Sequence, residues 1–299
     1  MKRRHAQIWY QKPIRLSAPR VSKFKNVEDF FSKNFENGYP VLVSSARSAI
    51  ALLLELFWAK GTIKLFKYAS QCVVNACTIS NISPVTSLQM DEDIIYHQWG
   101  YPAHRRGNSV FIEDACDSFK PLGSKVLSLE SRFEVWSLSK ILGLRSGAII
   151  WCRDKQDANE LIKFRNSKRV SYLKIGLNIF KRLHKIIYNQ WEYLELTNCS
   201  LSKFQIGAIH REVVNWEKIY NNRMLLLKSK IIASRKLGYK GEFEKQEEIL
   251  KGTLLPSVLV GSLELDNLTL HTILLNRINI ADRPFLVRII PSGNLKMVK

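Results

Sequence analysis

A three-layer α/β domain on a mainly parallel sheet, followed by a small α+β C-terminal domain, is the fold this sequence predicts. Three observations point there. Short β-branched or aromatic runs (YPVLVSS, TIKLFKY, DIIYHQW, FIEDACDSF, FEVWSLSK) alternate with helical stretches (VEDFFSKNFENG, ARSAIALLLELFWAK, QCVVNAC) through the first half of the chain. Such alternation is the pattern of βαβ units. The FIEDACDSF run reads as a buried strand whose carboxylate emerges at the sheet's edge. A length of 299 residues with 46% hydrophobic and 24% charged content supports one large domain with a smaller one appended.

The elements follow in order. Residues 27–38 carry helical apolar spacing through Val27, Phe30, Phe31 and Phe35 and stop at Gly38. YPVLVSS is a buried strand, and ARSAIALLLELFWAK a helix of strong formers. The turn between them puts backbone N–H groups and a positive dipole end at residues 45–48, where a phosphate could be received, although any strand-to-helix turn has this form. TIKLFKY and the ACTISNISPV region add strand-like pieces around the helical QCVVNAC. From Val85 to Ile94 too little chain remains for a parallel crossover, so an edge strand there is expected to be lost or re-routed. Residues 155–193 read as basic helix, and from about 200 helix mixes with the short strands TLLPSVLVG and FLVRIIP. The domains are therefore placed at 1–195 and 196–299.

The formal net charge of +20 suits either an anionic partner or simply a basic, solvated surface. Basic residues are dispersed and no nucleic-acid-binding signature occurs, so nucleic acid is not expected as a partner. In the basic segment Leu173, Leu177, Phe180, Ile187 and Trp191 recur at helical spacing. That stripe either packs on the protein's own core or gives weak association with an anionic membrane surface. No apolar run spans a bilayer, and the basic N-terminus lacks an apolar region and cleavage site. Five cysteines without a C-x-x-C spacing argue for reduced thiols in a cytoplasmic protein and against zinc.

The chemistry concentrates in residues 109–151. Glu113-Asp114 closes one strand, and some twenty residues later Lys140 stands beside Ser137 and Ser139. A buried carboxylate with a lysine in a Ser-x-x-Lys setting is what a pyridoxal phosphate site needs. The lysine forms a Schiff base, the aspartate partners the pyridinium nitrogen, and hydroxyls with backbone N–H groups hold the phosphate. The tetrapeptide alone also marks serine acyl-transfer enzymes.

Five motifs in order, from about residue 27 to 290, resemble the DegT/StrS family of pyridoxal-phosphate aminotransferases that act on nucleotide-linked keto-sugars. Ser45-Ala46-Arg47-Ser48-Ala49-Ile50 is similar to the family's phosphate loop. His97-Gln98-Trp99-Gly100 and Glu113-Asp114-Ala115-Cys116 are similar to two of its strand ends, and Lys140 falls on its Schiff-base lysine. Asn198-Cys199-Ser200-Leu201-Ser202 with Gln205 resembles a segment whose Asn reaches the partner subunit's phosphate. The resemblance implies PLP fold type I (aspartate-aminotransferase-like), a homodimer, glutamate as amino donor, and a role in polysaccharide or glycosylated-metabolite synthesis. It assigns catalysis to Lys140 and Asp114. Cofactor binding falls to Ala46, Arg47, Ser48, Tyr68, Asp114, Ser137, Lys140 and Asn198, with Arg145 a second phosphate candidate and His97 an orienting one. Lys140 must be neutral to shuttle a proton, and burial near a cationic cofactor is expected to lower its pKa. The sequence departs from the family at Ala46 (glycine), Asp117 (Gln or His) and Ser200 (arginine). Ser70 stands at the usual ring-stacking aromatic, with Tyr68 the nearest substitute, and a segment between the third and fourth strands is missing.

Two other readings stay open. One is an aminotransferase-fold protein with a binding role; retention of Lys140 and Asp114 speaks for the enzyme. The other is the same chemistry on a non-sugar carbonyl compound, with Arg283 or Arg288 clamping a carboxylate.

Overall fold

The computed structural model describes residues 22–66, 69–87, 91–103, 110–173, 175–176, 185–236, 242–261 and 288–291. Helix α1 (Phe24–Asn34) buries Val27 and Phe31 and leads into β1 (Tyr39–Val43). There follow α2 (Ala46–Phe57), β2 (Thr62–Phe66), α3 (Gln71–Ile79), β3 (Ser83–Ser87) and β4 (Ile94–Tyr96). Next come β5 (Ile112–Asp114), β6 (Phe133–Trp136), the short α4 (Leu138–Ile141), β7 (Ala148–Cys152) and α5 (Lys155–Ser167). The later part holds α6 (Lys185–Thr197), α7 (Lys203–Val213), α8 (Trp216–Lys236) and α9 (Gln246–Lys251). Strands β8 (Val258–Gly261) and β9 (Arg288–Pro291) form a separate antiparallel pair.

The large sheet has the order β1-β7-β6-β5-β4-β2-β3. Strands β6, β5, β4, β2 and β3 run parallel, and β7 is antiparallel to both neighbours, β1 and β6. Side chains alternate between two cores, as a sheet covered on both faces requires. Leu42, Trp136, Ile149 and Trp151 face one core with α1, α7 and α8, while Val41, Val43, Val135, Ala148 and Ile150 face the other with α2, α3 and α5. Phe31, Phe35, Trp136, Trp151 and Trp216 meet edge-on or stacked in the first core, with ring centroids 5.0–6.1 Å apart. Arg165 on α5 ties that helix to α1 and β1: its guanidinium pairs with Glu28, donates to Leu42 O at 2.8 Å and lies over Phe24.

Of the two outcomes expected after Val85, loss or re-routing of an edge strand, loss does not occur. Strand β3 is present at the edge, paired with β2, and carries Pro84 where edge strands tolerate it. Register explains how. Ser87 lies level with Phe66, and Ile94 lies level with Leu65 on the other side of β2. Strand β4 therefore begins near the end of the sheet where β3 finishes, and the chain has no sheet length to retrace. Strand β7, which the sequence pattern did not separate from the preceding turn, is the other addition.

Gly147, just before β7, adopts φ +106, and a Cβ there would come within 2.8 Å of Ile209 Cδ1. Its N–H donates to Ser44 O at 2.6 Å and its carbonyl accepts from Ser139 N at 3.2 Å. One glycine thus fastens the start of α4 to the end of β1. Gly147→Ala is expected to lower unfolding stability by about 1–3 kcal/mol through backbone strain, measured as a shift in the urea midpoint.

Candidate active site

Several elements end or begin at the edge where the parallel strands finish, which is where open α/β sheets take ligands. Strand β5 ends in Asp114; β4 ends in Tyr96, level with it. Strand β6 runs through Ser137 into α4, which carries Lys140. Strand β1 runs through Ser44 and Ser45 into α2, and α3 starts at Ser70.

Asp114 is 6% exposed, and its Oδ1 accepts from Cys116 N at 3.1 Å. Burial pushes its carboxyl pKa up; the Lys140 charge and the Cys116 hydrogen bond pull down, Asp117 adds to the rise, and the net shift is upward. Lys140 Nζ donates to Asp117 Oδ1 at 3.0 Å, and the Tyr96 hydroxyl donates to Asp117 Oδ2. Burial works against the Lys140 ammonium, but Asp117 first, then Cys116, Asp114 and Cys72, more than offset it and raise its pKa. The expectation of a lysine made neutral by burial is thereby reversed in this arrangement. Two carboxylates keep it charged.

The neighbouring residue on β5 points the other way along the pleat. Glu113 is fully buried and accepts four hydrogen bonds: from His97 Nε2 at 3.0 Å, Ser128 Oγ at 2.9 Å, Leu129 N at 3.0 Å and Ser131 Oγ at 2.6 Å. His97 Nδ1 accepts from Ala103 N at 2.9 Å, so Nε2 carries the proton given to Glu113. His97 is thus a satisfied strand-end histidine that pins the 97–103 loop to β5. Burial would raise the Glu113 pKa, yet the His97, Ser131 and Leu129 bonds hold it at about 2.

The serines divide between capping and the site. Ser45 and Ser48 close a capping box on α2: Ser48 N donates to Ser45 Oγ, and Ser45 N to Ser48 Oγ, both at 3.1 Å. The Ser48 amide and hydroxyl are therefore engaged within the helix start, while the first-turn amides of Ala46 and Arg47 point out of the helix end. The Arg47 guanidinium stacks over Trp191 of α6, 4.9 Å from the ring centre. Ser137 Oγ and Ser139 Oγ share a hydrogen bond of 3.0 Å beside Lys140. Arg145 is exposed in the following turn. Ser70 caps α3 in position, its Oγ 3.0 Å from Cys72 Sγ.

The Asn198 segment lies against its own chain's α2 entrance. Ser44 Oγ donates to Asn198 O at 2.6 Å and Ser44 N to Cys199 O at 3.0 Å. The Asn198 side chain accepts from Ser200 N at 3.2 Å and donates to Arg169 O at 3.1 Å. Ser202 and Gln205, read above as part of one motif, form a second capping box at the start of α7. Tyr68 and Arg283 lie outside the described residues. Arg288 falls in β9, away from the large sheet's order. Sequence reasoning missed Tyr96 and Cys72; one signal for Tyr96 was its place directly before His97 at a strand end.

A seven-stranded sheet with one antiparallel strand, a buried aspartate closing β5 and a lysine just after β6 define a PLP fold type I protein. A family described as "Putative PLP-dependent aminotransferase" matches residues 27–238, and the chain belongs to that family, whose cofactor is pyridoxal phosphate. Among solved structures it is similar to "Putative sugar aminotransferase Spr1654 from Streptococcus pneumoniae, PMP-form" (12% identity, TM-score 0.55, covering 86% of this chain and 73% of that one). It is similar also to DesV of S. venezuelae (14%, 0.51, 83% and 70%) and to Helicobacter pylori PseC (10%, 0.50, 81% and 68%). At these identities the likeness is one of fold. The chain spans 59% of the length of one solved structure it matches and 73% of Spr1654. No curated protein matches it in sequence.

The residues present fit the cofactor. A lysine nitrogen and a buried carboxylate lie within each other's field, Ser137 stands three residues before the lysine at the start of α4, and the start of α2 is of the kind that receives phosphate.

Glu113 yields a prediction for pH. Its pKa falls from an ordinary 4.5 unfolded to about 2 folded, so its stabilisation is complete above the higher value and is lost as pH falls through the lower. Glu113→Gln is expected to cost about 2–4 kcal/mol at neutral pH and to flatten the acid limb of the stability curve in that window. An unaltered acid limb would mean that Glu113 carries no such coupling.

Proposed function

We propose that this chain is a short, divergent member of the DegT/StrS group that moves an amino group, from glutamate, onto a nucleotide-linked keto-sugar. The observation that carries it is the placement of Lys140 and Asp114 at the ends of adjacent parallel strands, joined to an α2 start suited to phosphate. The sugar class rests on titles borne by proteins of the same fold: Spr1654 is titled "Putative sugar aminotransferase", and PseC an aminotransferase involved in the biosynthesis of pseudoaminic acid. A surface polysaccharide or a glycosylated metabolite is the product class we favour. Two subunits are proposed to form an isologous dimer. A cytoplasmic setting is favoured by five cysteines that all carry free thiols. No helix among the described residues is long and apolar enough to cross a membrane.

Bound pyridoxal phosphate would supply an electron sink for the bond-breaking carbon beside the substrate nitrogen. Lys140 would hold the cofactor covalently and, once displaced by substrate, carry the proton between substrate and cofactor carbons. Asp114, ionised beside the pyridine nitrogen, would keep that nitrogen protonated. A bound cationic ring would favour its charged form, against the burial that now raises its pKa. Ser137 and the 46–47 amides would fix the phosphate. The Glu113–His97 bond holds the 97–103 loop in place behind these groups.

Two variants test this. With pyridoxal phosphate and borohydride, peptide mapping is expected to find the label on Lys140 and to lose it in Lys140→Ala. Asp114→Asn is expected to bind cofactor but to lower kcat and kcat/KM together by about two orders of magnitude or more. A label on another lysine, or near-normal turnover in Asp114→Asn, would overturn the assignment.

A further inference from the structure

Asp117 is not one of the two residues that the chemistry above needs, yet it accepts a hydrogen bond from the lysine nitrogen. The residue is 3% exposed, and its carboxylate spans two donors, Lys140 Nζ at 3.0 Å on Oδ1 and the Tyr96 hydroxyl on Oδ2. The arrangement is built rather than incidental. Tyr96 ends β4, level with Asp114, and its oxygen also accepts from Trp99 N at 3.5 Å. Trp99 takes φ 56, a left-handed conformation costly for a bulky side chain. It is held there by Ser257, whose N and Oγ donate to Trp99 O at 2.7 and 3.1 Å. The next residue, Gly100 at φ +90, leaves room that a Cβ would take: such an atom would sit 2.7 Å from Asp117 O and 3.1 Å from Pro256 Cα. Three segments, 96–100, 114–117 and 256–257, thus converge to set one carboxylate against Lys140.

We propose that Asp117, braced by Tyr96, is a positioning residue that locks Lys140 as an ammonium ion and makes release of that proton to Asp117 the gate for condensation of Lys140 with an aldehyde. The side chain of Lys140 is 42% exposed along its length while its nitrogen is held on Asp117 Oδ1, and the charge of that contact is what withholds the lone pair. Burial is the largest single influence and lowers its pKa, but Asp117, Cys116 and Asp114 from the end of β5 and Cys72 from α3 raise it, and the net shift is upward. Tyr96 faces Asp117 and titrates well above its ordinary range, so it stays a donor at neutral pH.

The step balances. Nζ gives one proton to Asp117 Oδ1, and its freed lone pair forms the C–N bond at the aldehyde carbon. The carbonyl oxygen takes that proton and, with a second proton from nitrogen, leaves as water. Nitrogen keeps one proton and Asp117 returns to its carboxylate.

This rests on Lys140 being the cofactor lysine, but the gate can be read without cofactor. The full chain, stripped of cofactor, is treated with trace acetic anhydride at about pH 8, where only neutral amines react. Acetylation of Lys140 is counted by mass spectrometry against exposed Lys163. Wild-type Lys140 is expected to react about tenfold or more slowly relative to Lys163, and Asp117→Asn to restore at least about tenfold, one pKa unit. Asp117→Glu should keep the slow rate, and Tyr96→Phe should give about a threefold rise, as half a unit implies. Wild-type reactivity in a folded Asp117→Asn protein overturns the proposal. If that variant does not fold, an unchanged rate in Tyr96→Phe does so. Faster uptake of pyridoxal phosphate by Asp117→Asn than by wild type is the second expected result. Should neither protein take up the cofactor while the acetylation contrast holds, the cofactor reading falls and the lock stands.

Discussion

The parallel register of β4, β5 and β6 is the constraint on which the candidate site depends. Tyr96, Asp114 and Val135 lie level across the three strands, and the chain leaves β6 one residue later toward Lys140. A slip of one residue on β5 would exchange Glu113 for Asp114. The carboxylate now held by four donors beside His97 would then face the lysine, and Asp114 would enter a pocket shaped for Glu113. Both cores enforce the register, because Val135 and Trp136 insert into opposite sides of the sheet.

Around that register the chain spends several acidic groups on order and two on Lys140. Glu113 ties loops 97–103 and 128–131 to β5, and Glu134, fully buried on β6, binds Lys120 Nζ at 2.7 Å and Trp136 Nε1 at 2.6 Å. Each of these carboxylates has several donors, so each is a satisfied buried acceptor. Asp114 and Asp117 differ: they share one ammonium between them. That shortage of positive charge raises Lys140 and leaves Asp114 partly uncompensated until a cation joins it. A pyridinium nitrogen is such a cation.

Much of this was legible in the sequence, for identifiable reasons. Strands β1, β2, β5 and β6 showed as short apolar runs, α2 as a run of strong helix formers, and the Asp114–Lys140 pair as acid and base at consecutive strand ends. What stayed hidden depends on register and packing. Nothing local says that Tyr96 would meet Asp117 across two strands, or that β4 would start level with the end of β3. The downward Lys140 shift was expected from burial beside a cationic cofactor; in the protein's own arrangement Asp117, at 3.0 Å, outweighs burial, a contact that no local pattern announces. The S-x-x-S and S-x-x-Q spacings at 45–48 and 202–205 lie within segments that carried the resemblance, and both also form capping boxes, a local role that the spacing itself offered.

The most direct measurement is the absorbance spectrum of the purified chain titrated with pyridoxal phosphate and then with glutamate. A band of lysine-bound cofactor that is absent in Lys140→Ala and that glutamate converts to the aminated form is the predicted result. A spectrum unchanged from the free cofactor in wild-type protein at saturating concentration would contradict the account.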